Sequence, residues 1–423
     1  MQTSELQITK RDSIKKTSEK KYLKMTRRAR AVIVAAQRTP IGSFLGKLSA
    51  FDAPKLGALA IRSAVQKSGV TLSEVQEVIM GNVVSANLGQ APARQACIHA
   101  GLSNHVVCTT VNKMCASGTK AVMLGTQSIE LGINNCVVAG GFESMSNAPY
   151  YLPNARTGFR LGDNKIVDSI LRDGLTDAYS NEHMGWCAEQ TAKSFCITRE
   201  DQDKYAVESY RRAREANEKG YFANEMFSIA LPTKKKGDAP TYIQNDEEYS
   251  NINFEKVSQL KPAFLKENGT ITAANASSLS DGGAALVLMS EEKAKKAGLK
   301  PLARILGYGD AEKAPVDFPT APADAIPVAL KHSGISLKDV DLWEINEAFS
   351  AVSLANMKLL DLDPNHVNIF GGAVSLGHPI GCSGARIICT LISALQHRNK
   401  EIGVASICNG GGGASSIVIE MMN

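Results

Sequence analysis

Ser68-Gly-Val-Thr-Leu-Ser-Glu-Val-Gln-Glu-Val-Ile79 lies without a gap over Ser333-Gly-Ile-Ser-Leu-Lys-Asp-Val-Asp-Leu-Trp-Glu344, 265 positions further on. Each copy follows an Ala-rich helical stretch (56–66 and 323–332) and leads into an apolar strand. Ser117-Gly118-Thr-Lys120 matches Ser383-Gly384-Ala-Arg386 at nearly the same offset, 266. Cys136-Val-Val-Ala-Gly-Gly141 then parallels Gly403-Val-Ala-Ser-Ile-Cys408, both with buried-strand character. Matches at a near-constant offset read as an internal duplication. Strands alternating with helices predict parallel-rich sheets covered by helices. Two such halves stacked face to face would set equivalent strand and helix ends side by side, so that Cys115 and Cys408 share one pocket.

A chain of 423 residues is too long for one ordinary core and predicts two or three packed units. Residues 31–147 with 270–298 form the first half, completed by the apolar strand Ala284-Ala-Leu-Val-Leu-Met289; residues 299–423 form the second. Between them, 148–269 reads as an inserted loop domain. Its clearest element is a helix opened by the capping box Thr198-Arg-Glu-Asp201 and stopped at Gly220.

Residues 1–30 hold ten Lys/Arg against three Asp/Glu, a net +7 that exceeds the +5 of the whole chain, so the remaining 393 residues sum to −2. The basic balance belongs to the tail, and the body carries no nucleic-acid signature. The tail reads either as an organelle transit peptide or as a disordered segment. No apolar run of 18 residues predicts a membrane span. Nine cysteines without a secretory signal read as reduced thiols. No zinc spacing stands out; His183, Cys187 and Cys196 can only be forced into one.

Four segments carry the chemistry: Asn112-Lys-Met-Cys115-Ala-Ser-Gly118, Asn346-Glu-Ala-Phe349, Gly371-Gly-Ala-Val-Ser-Leu-Gly-His378-Pro-Ile-Gly and Cys408-Asn-Gly-Gly-Gly-Gly413. Cys115 follows a predicted strand and opens an apolar helix. The helix dipole predicts thiolate character there, below the free thiol pKa of about 8.5. Attack on a thioester would give an S-acyl enzyme. Cys97, Cys108, Cys136, Cys187, Cys196, Cys382 and Cys389 read as structural. His378 sits among glycines without helix or strand periodicity. Two roles are open to it, proton acceptor from Cys115 and donor to a thioester oxygen. Cys408 ends a strand before a glycine run and is a candidate acid/base, and the glycines supply either N–H donors or merely a turn. The Asn346 amide would hold a water toward an oxyanion or cap a helix beginning near Ala348. Glu347 supports the site, and Phe349 shapes its pocket.

In this order, from about Ala31 to the C-terminus, the four segments resemble the thiolases, the acyl-CoA acetyltransferases. The resemblance implies a five-layer αβαβα α/β fold, two duplicated halves with mixed sheets, and a loop domain that covers coenzyme A (CoA). It implies that Cys115 is acylated, that His378 plays both roles, and that Cys408 moves the α-proton. The amides of Cys115 and Gly410 would hold the oxyanion. His183, Met184, Lys256 and Ser277 match positions near pantetheine and nucleotide, with Tyr210, Phe318 and Phe349 completing the substrate and CoA site. Asn251 stands where close relatives carry Arg. Lys234-Lys-Lys236 reads as a solvated charge run.

The likeness is strongest to short-chain acetoacetyl-CoA thiolases of the mitochondrial type. It implies a potassium site as structural activator, built from the Tyr210 phenol and the carbonyls of Ala273, Ala274, Ala276 and Val374. Asp317-Phe318-Pro319 matches the segment tied to tolerance of a 2-methyl branch; the bland reading is a loop anchor. CoA is substrate, no redox cofactor is required, and the assembly implied is a homotetramer in the mitochondrial matrix, with the cytoplasm as alternative. A ketoacyl synthase, a longer-chain 3-ketoacyl-CoA thiolase and a non-catalytic acyl-CoA or lipid carrier are the competing readings.

Overall fold

The computed structural model describes residues 29–233 and 238–422. The Lys234-Lys-Lys236 run and all but the last two residues of the basic tail lie outside them. The helices that position the site are α1 (Ala53–Ser68), α2 (Pro92–His99), α3 (Ser117–Glu130), α4 (Met184–Ser194), α5 (Arg199–Glu218), α6 (Pro322–Ser333), α7 (Ser350–Leu360) and α8 (Ile380–Arg398). The duplicated Ser-Gly at 68–69 and 333–334 is a helix stop. Gly69 and Gly334 end α1 and α6 at φ +73° and +75°, a conformation glycine adopts without a Cβ penalty.

The main sheet contains β1 (Ala31–Arg38), β2 (Gly42–Ser43), β3 (Glu77–Gly81), β4 (Val107–Val111), β5 (Cys136–Ser144), β6 (Ser280–Ser290), β7 (Ala303–Glu312), β8 (Leu342–Ile345), β9 (Ile402–Asn409) and β10 (Gly413–Met421). Hydrogen bonds run in the order β8-β9-β10-β7-β1-β6-β5-β3-β4, with β2 paired to β6. β1 and β7 share only the pairs Val32–Arg304 and Ile33–Ala303, so the path is two half-sheets meeting at a short seam. The sheets are mixed rather than parallel-rich. β3 is parallel to β4 and β5, and β8 to β9, but β6, β7 and β10 pair antiparallel. The cause in the second half is local: β9 and β10 are joined through Gly410–Gly412 alone, too short for anything but a hairpin.

Period-2 alternation builds the layers. Ile33, Val137, Ala139, Leu286 and Leu288 face one way, into the same cluster as Ala405, Ile407, Ile417 and Ile419 of the other half, around Val122 of α3 and Leu391 of α8. Their neighbours Val32, Val138, Ala285 and Val287 face α1 and α2. Val404 and Val418 face Ile326 and Leu330 of α6. Helix, sheet, paired central helices, sheet, helix: the stack has five layers. Each aliphatic side chain buried in it contributes about 1.5–3 kcal/mol.

The second duplicated pair, Ser117-Gly118 and Ser383-Gly384, is where the central helices touch. A Cβ on Gly118 would stand 2.6 Å from the Ala385 amide nitrogen, and one on Gly384 2.5 Å from that of Thr119. The Thr119 hydroxyl donates to the Gly384 carbonyl at 2.8 Å. The two helices therefore meet at their N-terminal ends, with Cys115 and His378 just upstream of each. A Gly384→Ala variant is expected to lose about 1–3 kcal/mol of stability, because backbone rather than a flexible side chain must move. Urea denaturation checks this, and an unchanged midpoint would contradict the close contact.

The inserted region 148–269 carries α4, α5 and two short hairpins, Tyr150–Tyr151 with Val167–Asp168 and Ile229–Ala230 with Tyr242–Ile243. The capping box stands as read: Asp201 N–H donates to Thr198 Oγ1 at 3.1 Å, and Thr198 N–H to Asp201 Oδ2 at 3.0 Å. Buried Arg38 of β1 fastens the region down through Glu225 at 2.5 Å and Asp246 at 2.7 Å. Burial alone would lower its pKa, but these two carboxylates raise it above the ordinary arginine value.

Candidate active site

Backbone turns set the four chemical groups. Met114 adopts φ +48°, a left-handed corner between β4 and α3. The corner is pinned by Asn112 Oδ1, which accepts from the Met114 amide at 3.0 Å, and by Ser117 Oγ, which accepts from the Lys113 amide at 2.8 Å. Cys115 follows that corner. His378 follows Gly377, at φ +103°, where a Cβ would strike Ser280 Oγ at 2.1 Å, and its own amide donates to the Ser278 carbonyl at 3.1 Å. Cys408 closes β9, and Asn346 leaves its parallel neighbour β8.

Cys115 is partly buried, and burial pushes its thiol up to about 11. Pulling the other way are two amides directed at the sulfur, those of Gly410 and of Cys115 itself. The expected thiolate is therefore not preformed. Cys115 precedes the first turn of α3, where desolvation outweighs the dipole. The buried Cys408 thiol is also raised, first by desolvation and then by charge on Cys115, which places the two sulfurs within electrostatic reach.

The tautomer of His378 follows from one proton count. The Ser383 hydroxyl donates to the Pro379 carbonyl at 3.0 Å. It therefore accepts from His378, whose Nδ1 lies 2.5 Å from Ser383 Oγ. Nδ1 carries the proton, and Nε2 is a buried lone pair with no partner among the described residues. Burial, then the Arg386 charge, lowers the imidazole to about 3, so it rests neutral.

Asn346 is oriented by a similar argument. Arg386 Nη2 lies 3.5 Å from its Oδ1, and a guanidinium only donates. Its Nδ2 is the buried donor left without a partner among the described residues. The capping alternative fails: α7 begins at Ser350 with Phe349 as its N-cap and no side-chain capping bond.

These values predict the pH dependence of alkylation. At pH 8 the free Cys115 is thiolate in about one molecule per thousand, rising tenfold per pH unit towards 11. Iodoacetamide labelling of Cys115 should climb through pH 8 to 10 without levelling. A plateau near pH 6–7 would instead indicate a preformed ion pair.

Met184, Phe318 and Phe349 pack with Cys408 in one cluster. His183 caps α4, with Nδ1 accepting from the Gly185 amide at 2.9 Å, and its ring stacks on Phe264 at 4.7 Å. Its pKa is lowered by burial. Phe264 meets Phe349 edge-on at 6.1 Å, extending the aromatic wall. Ser277 Oγ donates to the Ala348 carbonyl at 2.9 Å. Lys256 and Asn251 are exposed. A cleft of about 440 Å³ opens beside Met114, Met184, Gly410 and Gly411. A cavity of about 490 Å³ lies elsewhere, between Phe195, Tyr205 and Met357, and neither cysteine lines it.

Tyr210 stands apart from the cysteines, packed with Val374. The carbonyls of Ala273, Ala274, Ala276 and Val374 accept no hydrogen bond among the described residues, whereas Thr272 O takes the amides of Asn275 and Ala276. Free carbonyls and a phenol oxygen are a hard-donor set, which fits a potassium ion.

Several contributors were not evident in the sequence. Glu143 is buried and accepts from the amides of Val83, Val84 and Gly381; burial still raises it to about 7. Nothing in its strand marks it. Ser383 has a signal, opening the duplicated Ser383-Gly384-Ala-Arg386 segment five residues after His378. Glu347, read as supporting, accepts from Tyr205, Ser209, Asn368 and the Val374 amide, joining α5 to the site.

Family profiles for the thiolase N-terminal and C-terminal domains match residues 31–292 and 299–421. The chain is a member of the thiolase family. It is 54% identical to the mitochondrial acetyl-CoA acetyltransferase of Rattus norvegicus over 92% of this chain and 91% of that one. It is 53% identical to a cytosolic acetyl-CoA acetyltransferase of Gibberella zeae over 92% and 97%. The Acat5 thiolase of Ascaris suum, solved in complex with coenzyme A, superposes with a TM-score of 0.88 at 46% identity, covering 93% of this thiolase and 100% of its own chain. Among the described residues, no helix of this thiolase is long and apolar enough to cross a membrane.

Proposed function

We propose that this thiolase is an acetyl-CoA C-acetyltransferase, condensing two acetyl-CoA to acetoacetyl-CoA and CoA and reversing that reaction by thiolysis. The observation that carries the reading is the convergence of the Cys115 and Gly410 amides on the Cys115 sulfur. The oxyanion would develop on the carbon bonded to that sulfur, two bonds away, within reach of the same two amides.

In thiolysis, Cys115 attacks the 3-keto carbon while His378 Nε2 takes its proton. The oxyanion forms against the two amides. The C–C bond then breaks, and Cys408, resting as a thiol, protonates the departing carbanion to give acetyl-CoA. CoA then gives its thiol proton to the Cys408 thiolate and attacks the acetyl-Cys115, and the released Cys115 sulfur takes back the proton held on His378 Nε2. Once protonated, His378 Nε2 becomes a donor and, with a water on Asn346 Nδ2, serves the thioester oxygen of the leaving group. Condensation is the reverse sequence.

Finer features belong to the same reading. Tyr210, Ala273, Ala274, Ala276 and Val374 would hold potassium, which would supply charge and rigidity beside the Glu347 network. Burial of Phe318 against Phe349 and Cys408 supports a role in fitting a 2-methyl branch. Exposed Leu152, Leu161 and Ile166 on the 150–168 hairpin support burial in a homotetramer, which sedimentation would show as four chains. The basic tail supports a matrix address, and a reporter fused to residues 1–30 separates that from the cytoplasm.

CoA-dependent thiolysis of acetoacetyl-CoA, 2-methylacetoacetyl-CoA and a long-chain 3-ketoacyl-CoA, with and without potassium, tests the reading. Turnover of both short substrates, faster with potassium, is expected. Preference for the long chain would move the enzyme to the longer-chain branch, and no turnover would leave a carrier.

A further inference from the structure

The two cysteines and the two amides proposed to hold the oxyanion come from different halves of the molecule. Cys115 and its amide belong to the turn before α3; Cys408, near the end of β9, and the Gly410 amide belong to the β9–β10 hairpin. One side chain joins these turns. Lys113, two residues before Cys115, reaches across with its Nζ 3.2 Å from Asn409 Oδ1 and 2.9 Å from Glu312 Oε1, and 3.7 Å from Asp310. Asn409 is the residue between Cys408 and Gly410, and its Nδ2 donates to the Gly410 carbonyl at 2.9 Å. Glu312 bounds the same turn, since a Cβ on Gly413 would lie 2.5 Å from its Oε2. Asp310 is itself held by Lys120 at 2.6 Å and by the Ser415 hydroxyl at 2.6 Å. The Lys113 side chain is 18% exposed, so this is a set of partly desolvated contacts.

We propose that Lys113 is a positioning residue, locking the turn that carries Cys115 to the turn that carries Cys408 and Gly410, and so fixing the spacing of the two sulfurs and the two amides. The inference rests on the thiolase reading above. A primary ammonium suits the task, because it donates to an amide oxygen and a carboxylate at once while its charge faces Asp310 at 3.7 Å. Losing that link lets one turn drift against the other. Misplacement of about 1 Å costs on the order of a hundredfold in rate without weakening substrate binding.

The test compares Lys113→Met, Lys113→Arg and Asn409→Ala in acetoacetyl-CoA thiolysis. Lys113→Met should lower kcat by about 10–100-fold while KM stays within about threefold and the urea midpoint holds. Lys113→Arg, which keeps donors of similar reach, should recover most of kcat. Asn409→Ala should reproduce the kcat loss with the lysine–carboxylate pairs intact, and it carries the test if Lys113→Met does not fold. Wild-type kcat in Lys113→Met and Asn409→Ala would overturn the inference. So would a raised KM with unchanged kcat, which would make Lys113 a contact for an anionic substrate group. Neither result touches the parent reading, which is tested separately by the substrate panel above and by Cys115→Ser.

Discussion

Replacing Cys115 by serine should reduce acetoacetyl-CoA thiolysis by about 10⁴-fold or more, with the protein folded. Even the thiol is held at about 11 by desolvation, and a hydroxyl in that setting gives His378 a far less acidic proton to remove. The two amides that face the sulfur would remain, so KM should change little while kcat collapses. Steady-state thiolysis alongside circular dichroism checks both halves of this statement. A loss of less than tenfold would mean that the acyl group is not carried on Cys115.

Replacing Cys408 by serine should separate the two half-reactions. Acyl transfer needs Cys115, His378 and the amides, so exchange of labelled CoA into acetyl-CoA should persist within about tenfold of wild type. Condensation and thiolysis need a proton moved at carbon, and these should fall by about 10³-fold, the usual scale of a lost general acid. The substitution is close to isosteric at a fully buried position, so the fold should tolerate it. Equal losses in exchange and thiolysis would place Cys408 in acylation instead.

Much of this was legible in the chain. The duplication was, because a helix stop and a helix–helix contact both demand glycine: Gly69 and Gly334 for positive φ, Gly118 and Gly384 for backbone approach. The resemblance points to Met184, Phe318 and Phe349, which pack with Cys408. What escaped depends on three-dimensional surroundings. Cys115 was read from a helix dipole, a sequence-local effect, whereas its titration is set by desolvation, which belongs to the fold. The tautomer of His378 hangs on Ser383 finding the Pro379 carbonyl, and the orientation of Asn346 on Arg386, 40 residues away. Alternation of strands and helices by itself points only to parallel-rich sheets, whereas the resemblance implies the mixed sheets that form; the glycines after Cys408 make the tight turn that sets β9 antiparallel to β10. Phe264 and Glu143 carried no local mark at all.

The mechanism requires the acyl group to be carried on the Cys115 sulfur. Mixing the enzyme with acetoacetyl-CoA in the absence of CoA, quenching in acid and mapping peptides by mass spectrometry reads this directly. One acetyl group on the peptide containing Cys115, chased away by added CoA, is the predicted result. Acetyl on the Cys408 peptide, or on neither cysteine while thiolysis proceeds, would contradict it.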